Sequence, residues 1–447
     1  MNAEPRPLPS VLQRRRARRM GYFNAGLWGT GNGLISGTLV ISLANELGAP
    51  GIGLGVSLIK AAPQLAGLLR LVAPALIGRL ADRKRFCIGC YLASAVVLLA
   101  LPLAAVSGRL PRTWGSLAAI VLVWCTYHLL EYLGTVALWA WLADLVPVRT
   151  RGRFLGRRER WMVAGQAGAM LAAALFSADW MYFYPRNLYP DKLLTGYAIP
   201  AFAGVALLML SQLPLARMPG LSALAAARPA APLAAILAPF ADRRFLRLVA
   251  FGCWFSLFNG LSQSAQELYP REVLKIELAA FLVLMTGMRL GQLMISPWLG
   301  RMADRYGNRP VMLVALPIVA TGTLFYLAAT AEQPGWFAGA WVVWIAYAGI
   351  NVCLPNLMLK LSPGEARAAY VAAFYAVSGL CVAASTIAGG VLFDLLRDRT
   401  FTFSLLGRGV VLDCSQAMFL FGWITRTLGV VLLLCVVEPT GNEHRAK

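Results

Sequence analysis

The sequence predicts an all-α polytopic membrane protein of twelve transmembrane helices, arranged as two six-helix pseudo-repeats. Three observations carry this reading. Hydrophobic residues make up 59% of the 447-residue chain and charged residues 14%, against about 25% charged in a soluble domain. The apolar residues gather into long runs, and a bilayer span needs roughly 20 such residues. One charged phrase is written twice, GRLADR at 78–83 and GRMADR at 300–305.

The runs fall at 21–45, 52–77, 86–107, 116–141, 161–184 and 195–214, then at 248–267, 278–299, 311–330, 336–359, 369–393 and 414–437. They are numbered here as segments 1 to 12. Several exceed the minimum length, which implies tilt or extension beyond the bilayer. Residues 1–20 form a basic N-terminal tail, 21–214 a first half, 248–437 a second half and 438–447 a C-terminal tail. Residues 215–247 are Ala- and Pro-rich and hold no 20-residue apolar run. They read as a linker with a short interfacial helix near 232–240. The apolar stretch after the basic tail is too long for a signal peptide, so segment 1 reads as an uncleaved span.

A net charge of +21 would suggest nucleic acid in a soluble protein. Its placement argues otherwise. With the N-terminus cytoplasmic, twelve spans return the C-terminus to the same side. The cytoplasmic segments then hold 28 of the 41 Lys and Arg, and the outer loops hold nine. That asymmetry is the positive-inside pattern. The basic excess reads as a topology signal and a contact with anionic lipid heads, not as a nucleic-acid surface. The expected location is a bacterial inner membrane, with both termini cytoplasmic.

The eight Cys are scattered and suggest no disulfide framework. CIGC at 87–90 lacks a second pair or a nearby His, so no metal site is expected. No G-x-x-x-x-G-K-[ST] loop is present, so direct nucleotide-driven chemistry is not expected. No cofactor is implied.

The repeated phrase follows segments 2 and 8, the same position in each half. NGL recurs at 32–34 and 259–261. Pro147 and Arg151 precede Phe154, and Pro363 and Arg367 precede Tyr370. Several echoes in one order make a duplicated 6+6 chain. With these residues on the page, the chain resembles the major facilitator superfamily across nearly its whole length. The phrase is similar to that family's loop signature, G-x-L-A-D-R-x-G-R-[KR]. The first copy lacks the inner Gly, and the second carries Met302 in place of Leu. The resemblance implies two halves around a central cavity, lined by segments 1, 2, 4, 5, 7, 8, 10 and 11, and a transporter working by alternating access. It also implies a conformational latch at Gly78, Asp82 and Arg83 and at Gly300, Asp304 and Arg305. The bland alternative for these loops is a basic stop-transfer signal that sets topology alone.

Polar residues inside a membrane are costly and usually face protein or a cavity. Here they fall at helical spacing on single faces. Segment 2 gives Ser57, Lys60, Gln64 and Gly67. Segment 4 gives Trp124, His128, Glu131 and Thr135. Segment 7 gives Ser256, Asn259, Gln263 and Gln266. Segment 8 gives Met285, Arg289, Gln292 and Ser296. Segment 10 gives Trp341, Trp344, Tyr347 and Asn351, and segment 1 a partial stripe of Asn24, Trp28 and Asn32. From these, Asn32, Lys60, Gln64, Asn259, Gln263, Arg289, Gln292, Trp344 and Asn351 are the candidate solute contacts. Interhelical hydrogen bonding is the alternative role for each amide. Segments 3, 6 and 9 are almost purely apolar and read as lipid-facing. Arg426 in segment 12 has no place in this scheme.

Among the 20 acidic residues, Glu131 alone reads as lying near the middle of a span. With His128 one turn earlier, it is the candidate proton-coupling site. Its alternative is a permanent ion pair with Lys60, Arg70 or Arg289. The expected function is a secondary active transporter for a small solute, acting as a monomer and not as an enzyme, with an anionic solute and proton coupling as the further expectations. The alternatives are a broad-specificity drug or metabolite exporter, or a non-transporting membrane enzyme or receptor.

Overall fold

The computed structural model describes residues 10–46, 52–71, 82–107, 113–146, 148–185, 187–189, 192–220, 238–363, 367–405 and 408–438. Gly78, the C-terminal tail beyond Glu438 and most of the expected interfacial helix lie outside the described residues. Among the described residues, ten helices are long and apolar enough to cross a membrane, from Arg83–Ser107 to Cys414–Leu434, and a shorter apolar helix, Gly53–Leu69, stands at segment 2. Segment 1 is split into Val11–Leu34 and Gly37–Glu46. The chain is an integral membrane protein with the expected twelve-helix arrangement.

The helices pack as two compact units, residues 1–40, 72–109 and 126–230, and residues 41–71, 110–125 and 231–447. In the first unit, Val11–Leu34 runs along Val148–Phe183. Glycines permit the close approach: a methyl group on Gly29 or Gly33 would collide with the backbone of Met162 or Gln166. The first helix starts ten residues before segment 1, so the RRRARR stretch is helical. A capping box between Ser10 and Gln13 begins it. The core around Cys87, Tyr91, Trp141, Phe154 and Leu215 sits beside these helices.

In the second unit, segment 7 runs as Arg243–Leu261, breaks at Ser262 and continues as Gln263–Glu272. Asp242 starts it by accepting from the backbone N–H groups of Arg244 and Phe245. Segment 10 tightens into a 3-10 turn at Trp344–Ala346, between Trp336–Val343 and Tyr347–Leu361. Among the described residues, two strands depart from the helical pattern. Thr400–Leu405 and Arg408–Asp413 pair antiparallel, with Thr400 opposite Asp413. The TFTFSL stretch alternates β-branched and aromatic residues with polar ones, and it lies between apolar segments 11 and 12, where strand preference is not overridden. Asp413 then caps the last span through the backbone N–H of Gln416.

Candidate functional site

Segments 7, 8 and 10 each present one face to a cavity of about 330 Å³ in the second unit. Asn259, Gln263 and Gln266 come from segment 7, Met285, Arg289 and Gln292 from segment 8, and Trp341, Trp344, Tyr347 and Asn351 from segment 10. Three- and four-residue spacing places each set on one helix face. Lys60 of segment 2, in the same compact unit, adds an ammonium group. The structure therefore brings together seven of the nine candidate solute contacts: Lys60, Asn259, Gln263, Arg289, Gln292, Trp344 and Asn351.

The other two do not join this wall. Gln64 is exposed and does not line the cavity. Asn32 belongs to the first unit, where it donates to the Tyr127 hydroxyl at 3.4 Å and accepts from Gln166 at 2.9 Å.

The walls are tied from behind. Gln292 donates to the Trp344 carbonyl at 3.0 Å, and the Tyr347 hydroxyl donates to Asn259 Oδ1 at 3.3 Å. Trp341 and Trp344 meet edge to face at 5.4 Å, and Phe281 meets Trp341 at 5.1 Å. Trp344 packs against Gly322, where a side chain would collide with its indole. Tyr326 completes this aromatic side. It comes from segment 9, so the lipid-facing reading of that segment is corrected. A single Tyr in an otherwise apolar run gives too little contrast to mark a face.

A second acidic residue reaches the cavity. Segment 7 stays helical to Glu272, five residues beyond its apolar run, and so draws Glu267 inside. Its carboxylate is 5% exposed, paired with Lys60 and with Arg271 at 3.4 Å. It stands near the end of its helix, not near the middle of a span. Glu267 sits four residues after Gln263, and that register is the sequence signal that could have found it.

The charges of the cavity wall do not cancel. Lys60 has Glu267. Arg289 reaches the cavity and has no hydrogen bond or ion pair among the described residues. Arg426 also finds its place. It is fully buried, and its guanidinium donates to the carbonyls of Phe258 and Asn259 at 3.4 Å and to the Ser262 hydroxyl at 2.5 Å. These are the groups at the break in segment 7, where the helix ladder leaves carbonyls open.

In the first unit, Glu131 accepts from the Thr135 hydroxyl at 2.9 Å, and Thr135 meets the Tyr91 hydroxyl at 2.9 Å. His128 stands one turn earlier, its ring 4.7 Å from that of Tyr127. Glu131 has no ion pair among the described residues.

The signature loops are built differently. Asp82 caps the helix Arg83–Leu98, accepting from the Arg85 N–H at 3.0 Å and pairing with its side chain at 3.1 Å. Asp304 is exposed near the end of Leu278–Tyr306 and has no partner among the described residues. A basic residue in each loop docks on the helix that ends its own half. Lys84 donates to the carbonyls of Ala216 and Met218 at 2.7 and 2.8 Å. Arg309 donates to the carbonyl of Leu434 at 2.6 Å. Gly307, between the helices Leu278–Tyr306 and Asn308–Ala328, takes φ +96°, which a side chain would strain. Gly300 lies within the helix Leu278–Tyr306 with open space around it. Arg305 sits over the ring of Tyr306 at 5.2 Å.

The family model of the Major Facilitator Superfamily matches residues 21–386 and 268–443. The chain belongs to the Major Facilitator Superfamily. It is thus a transporter and not an enzyme. A tetracycline resistance protein of class H from Pasteurella multocida is 28% identical over 130 residues, 29% of this chain. The chain spans about a third of that relative's length, 32%. A variant of the nucleoside transporter NupG superposes with a TM-score of 0.67 at 14% identity, over 95% of this chain and all of the other. A D-xylose-proton symporter superposes with a TM-score of 0.61 at 15% identity, over 94% of this chain and 97% of the other. These two likenesses support the superfamily fold.

Proposed function

We propose that this superfamily member is a secondary active transporter for a small organic anion with a ring-shaped or apolar part, driven by protons. The observation that carries the solute class is Arg289, a cation in the cavity wall without a counter-ion among the described residues. A guanidinium presents five donors in a planar fork suited to a carboxylate or phosphate. The aromatic side formed by Phe281, Tyr326, Trp341 and Trp344 suits a flat apolar body. The amides of Asn259, Gln263 and Asn351 supply polar contacts that fix orientation.

The driving ion is read from Glu131. Its bonded partner is a hydroxyl, an arrangement that leaves the carboxyl able to gain and lose a proton as its surroundings alternate. The latch reading rests on Asp304, whose exposed carboxylate is open to a partner in another state of the cycle. The orientation, with termini and basic loops on the cytoplasmic side of a bacterial inner membrane, rests on the distribution of Lys and Arg.

The test is flux into vesicles holding the purified protein, using benzoate, indole-3-acetate, a nucleoside monophosphate, xylose, a nucleoside and tetracycline. Uptake or exchange of a ring-bearing anion, lost in Arg289→Ala and weakened in Arg289→Lys, is the expected result. Transport confined to neutral solutes, or wild-type flux in Arg289→Ala, refutes the anion. Preferential movement of tetracycline and unrelated ring compounds supports the exporter reading suggested by the resistance protein.

A further inference from the structure

Segment 2 belongs by duplication to the first half of the sequence, yet residues 41–71 pack in one unit with residues 231–447. The contacts lie along one face of the helix Ile52–Ala66, at residues 53, 57 and 60, four and three apart. At its first turn, the backbone N–H groups of Gly53 and Leu54 both donate at 2.8 Å to the carboxylate of Asp394. Asp394 stands near the end of the helix Arg367–Leu396. One helix thus provides the N-terminal cap of another across 340 residues of sequence. One turn on, the two backbones touch: a methyl group on Gly390 would collide with the Gly53 carbonyl and with Ser57. At the third position, Lys60 pairs with buried Glu267.

We propose that Asp394, Gly390 and Glu267 form a latch that grips segment 2 and closes the solute cavity on the side of the Thr400–Asp413 hairpin. This rests on the alternating-access reading, in which contacts joining the two sequence halves break once per cycle. The three contacts differ in physics. A carboxylate at a helix N-terminus satisfies two otherwise open N–H groups and meets the positive end of the helix dipole. Two glycines let backbones meet, and on separation the buried Glu267 carboxylate loses Lys60 and keeps Arg271 at 3.4 Å as its ion-pair partner, which opposes parting. The grip is firm at closest approach and lost altogether when the helices part, which is how a two-position gate behaves.

The test needs no solute. In a chain with its eight cysteines replaced, Gln263→Cys puts a thiol on the cavity wall. A membrane-impermeant thiol reagent is then applied to right-side-out and inside-out vesicles. Asp394→Ala removes the cap, and Gly390→Ala forces the backbones apart. Each is expected to raise labelling from the hairpin side by about three- to tenfold, the scale of a lost helix cap. Asp398→Ala, at an exposed acid just past the same helix, is expected to leave labelling unchanged. Parental labelling in folded Asp394→Ala and Gly390→Ala overturns the latch. So does an equal rise from both faces, or an equal rise in Asp398→Ala. If Gly390→Ala does not fold, Asp394→Ala decides alone. Variants that change labelling in a protein that moves no solute would uphold the latch and sink the transporter reading instead.

Discussion

The Tyr347 hydroxyl donates to Asn259 at 3.3 Å, and in the other compact unit Asn32 donates to Tyr127 at 3.4 Å. Each Asn opens an NGL phrase, and in each case the helix stops at the Leu, Leu34 or Leu261. Each Gly faces another helix that leaves no room for a side chain, Gln166 for Gly33 and Ser385 for Gly260. The duplicated phrase therefore does one job twice. It ends a helix within the bundle and turns its last Asn onto a Tyr. Tyr347→Phe removes one neutral hydrogen bond and leaves the ring. A net loss of roughly 0.5–1.5 kcal/mol corresponds to about a two- to tenfold rise in the solute's KM, with thermal stability nearly kept. Flux kinetics and melting in detergent check this; unchanged KM would make the pair a purely structural one.

Arg426 holds the break in segment 7 from behind. Its removal takes away the donor to the carbonyls of Phe258 and Asn259 and to the Ser262 hydroxyl. Arg426→Leu is expected to lower stability by about 1–3 kcal/mol, and Arg426→Lys by less, because an ammonium still reaches one acceptor but not all three. Melting temperatures of the purified variants give the order. Equal melting of Arg426→Leu and the parent would show that the break needs no counter-charge.

Much of this was legible in the sequence because a membrane imposes a long apolar period that propensity cannot mask. The twelve spans, the duplication and three polar stripes follow from it. Seven stripe residues meet in one cavity because residues three or four apart share a helix face whatever the tertiary contacts. What could not be read depends on long-range partners. Glu267 sits where the apolar run ends, and its inclusion depends on Lys60, 207 residues away in the chain. Arg426 looked out of place because its acceptors are backbone carbonyls exposed by a helix break, which no side-chain pattern announces. The hairpin at 400–413 was hidden by a whole-chain helical bias. Asn32 has the same spacing cue as Asn259, but its partners are Tyr127 and Gln166.

Glu438, just past the last span, fixes the second signature loop. It accepts from the Asn308 N–H at 3.0 Å, the Asn308 side chain at 2.7 Å, the Arg309 N–H at 2.8 Å and the Lys360 ammonium at 2.8 Å. Burial works to raise its pKa, but the hydrogen bonds from Arg309, Lys360 and Asn308 outweigh it and hold the carboxyl below its ordinary value. A depressed folded pKa means that the stabilisation is complete above the unfolded value of about 4.3 and is lost as pH falls through the folded one. Glu438→Gln is therefore expected to lower stability at pH 7, by roughly 1.5–3 kcal/mol for charged hydrogen bonds. The difference from the parent should close as the pH falls through the depressed folded pKa. A pH-independent gap in melting temperature would assign the effect to packing.

The two signature carboxylates should separate in their effects. Asp82 caps a helix in this structure, whereas Asp304 has no partner among the described residues. Asp82→Asn keeps a good capping residue, so its cost is expected to be a few tenths of a kcal/mol. Asp304→Asn should leave melting unchanged and yet slow turnover, if its partner forms in another state of the cycle. Thiol labelling of the cavity from each side reports the shift. Full turnover and parental labelling in Asp304→Asn would leave the loop with topology alone.

Glu131 is the sharpest test of the driving force. A permanent ion pair was one expectation for it, but Lys60 is held by Glu267, and Glu131 is held by the Thr135 hydroxyl. A carboxyl bonded to a hydroxyl can exist in either protonation state, since Thr135 can donate to the anion or accept from the acid. Glu131→Gln fixes the neutral form at constant size. If the proton moves through this carboxyl, gradient-driven accumulation falls to background, while exchange of labelled for unlabelled solute continues. Exchange needs the cavity to alternate but needs no net proton movement. A packing role predicts instead that both modes fall together with the amount of folded protein. His128→Gln, one turn away, separates a shared proton from a solitary one: loss of accumulation with exchange retained would place the imidazole in the same relay. Proton-driven accumulation at the parental rate in Glu131→Gln would remove this residue from the coupling step and leave Glu267 as the next carboxylate to examine.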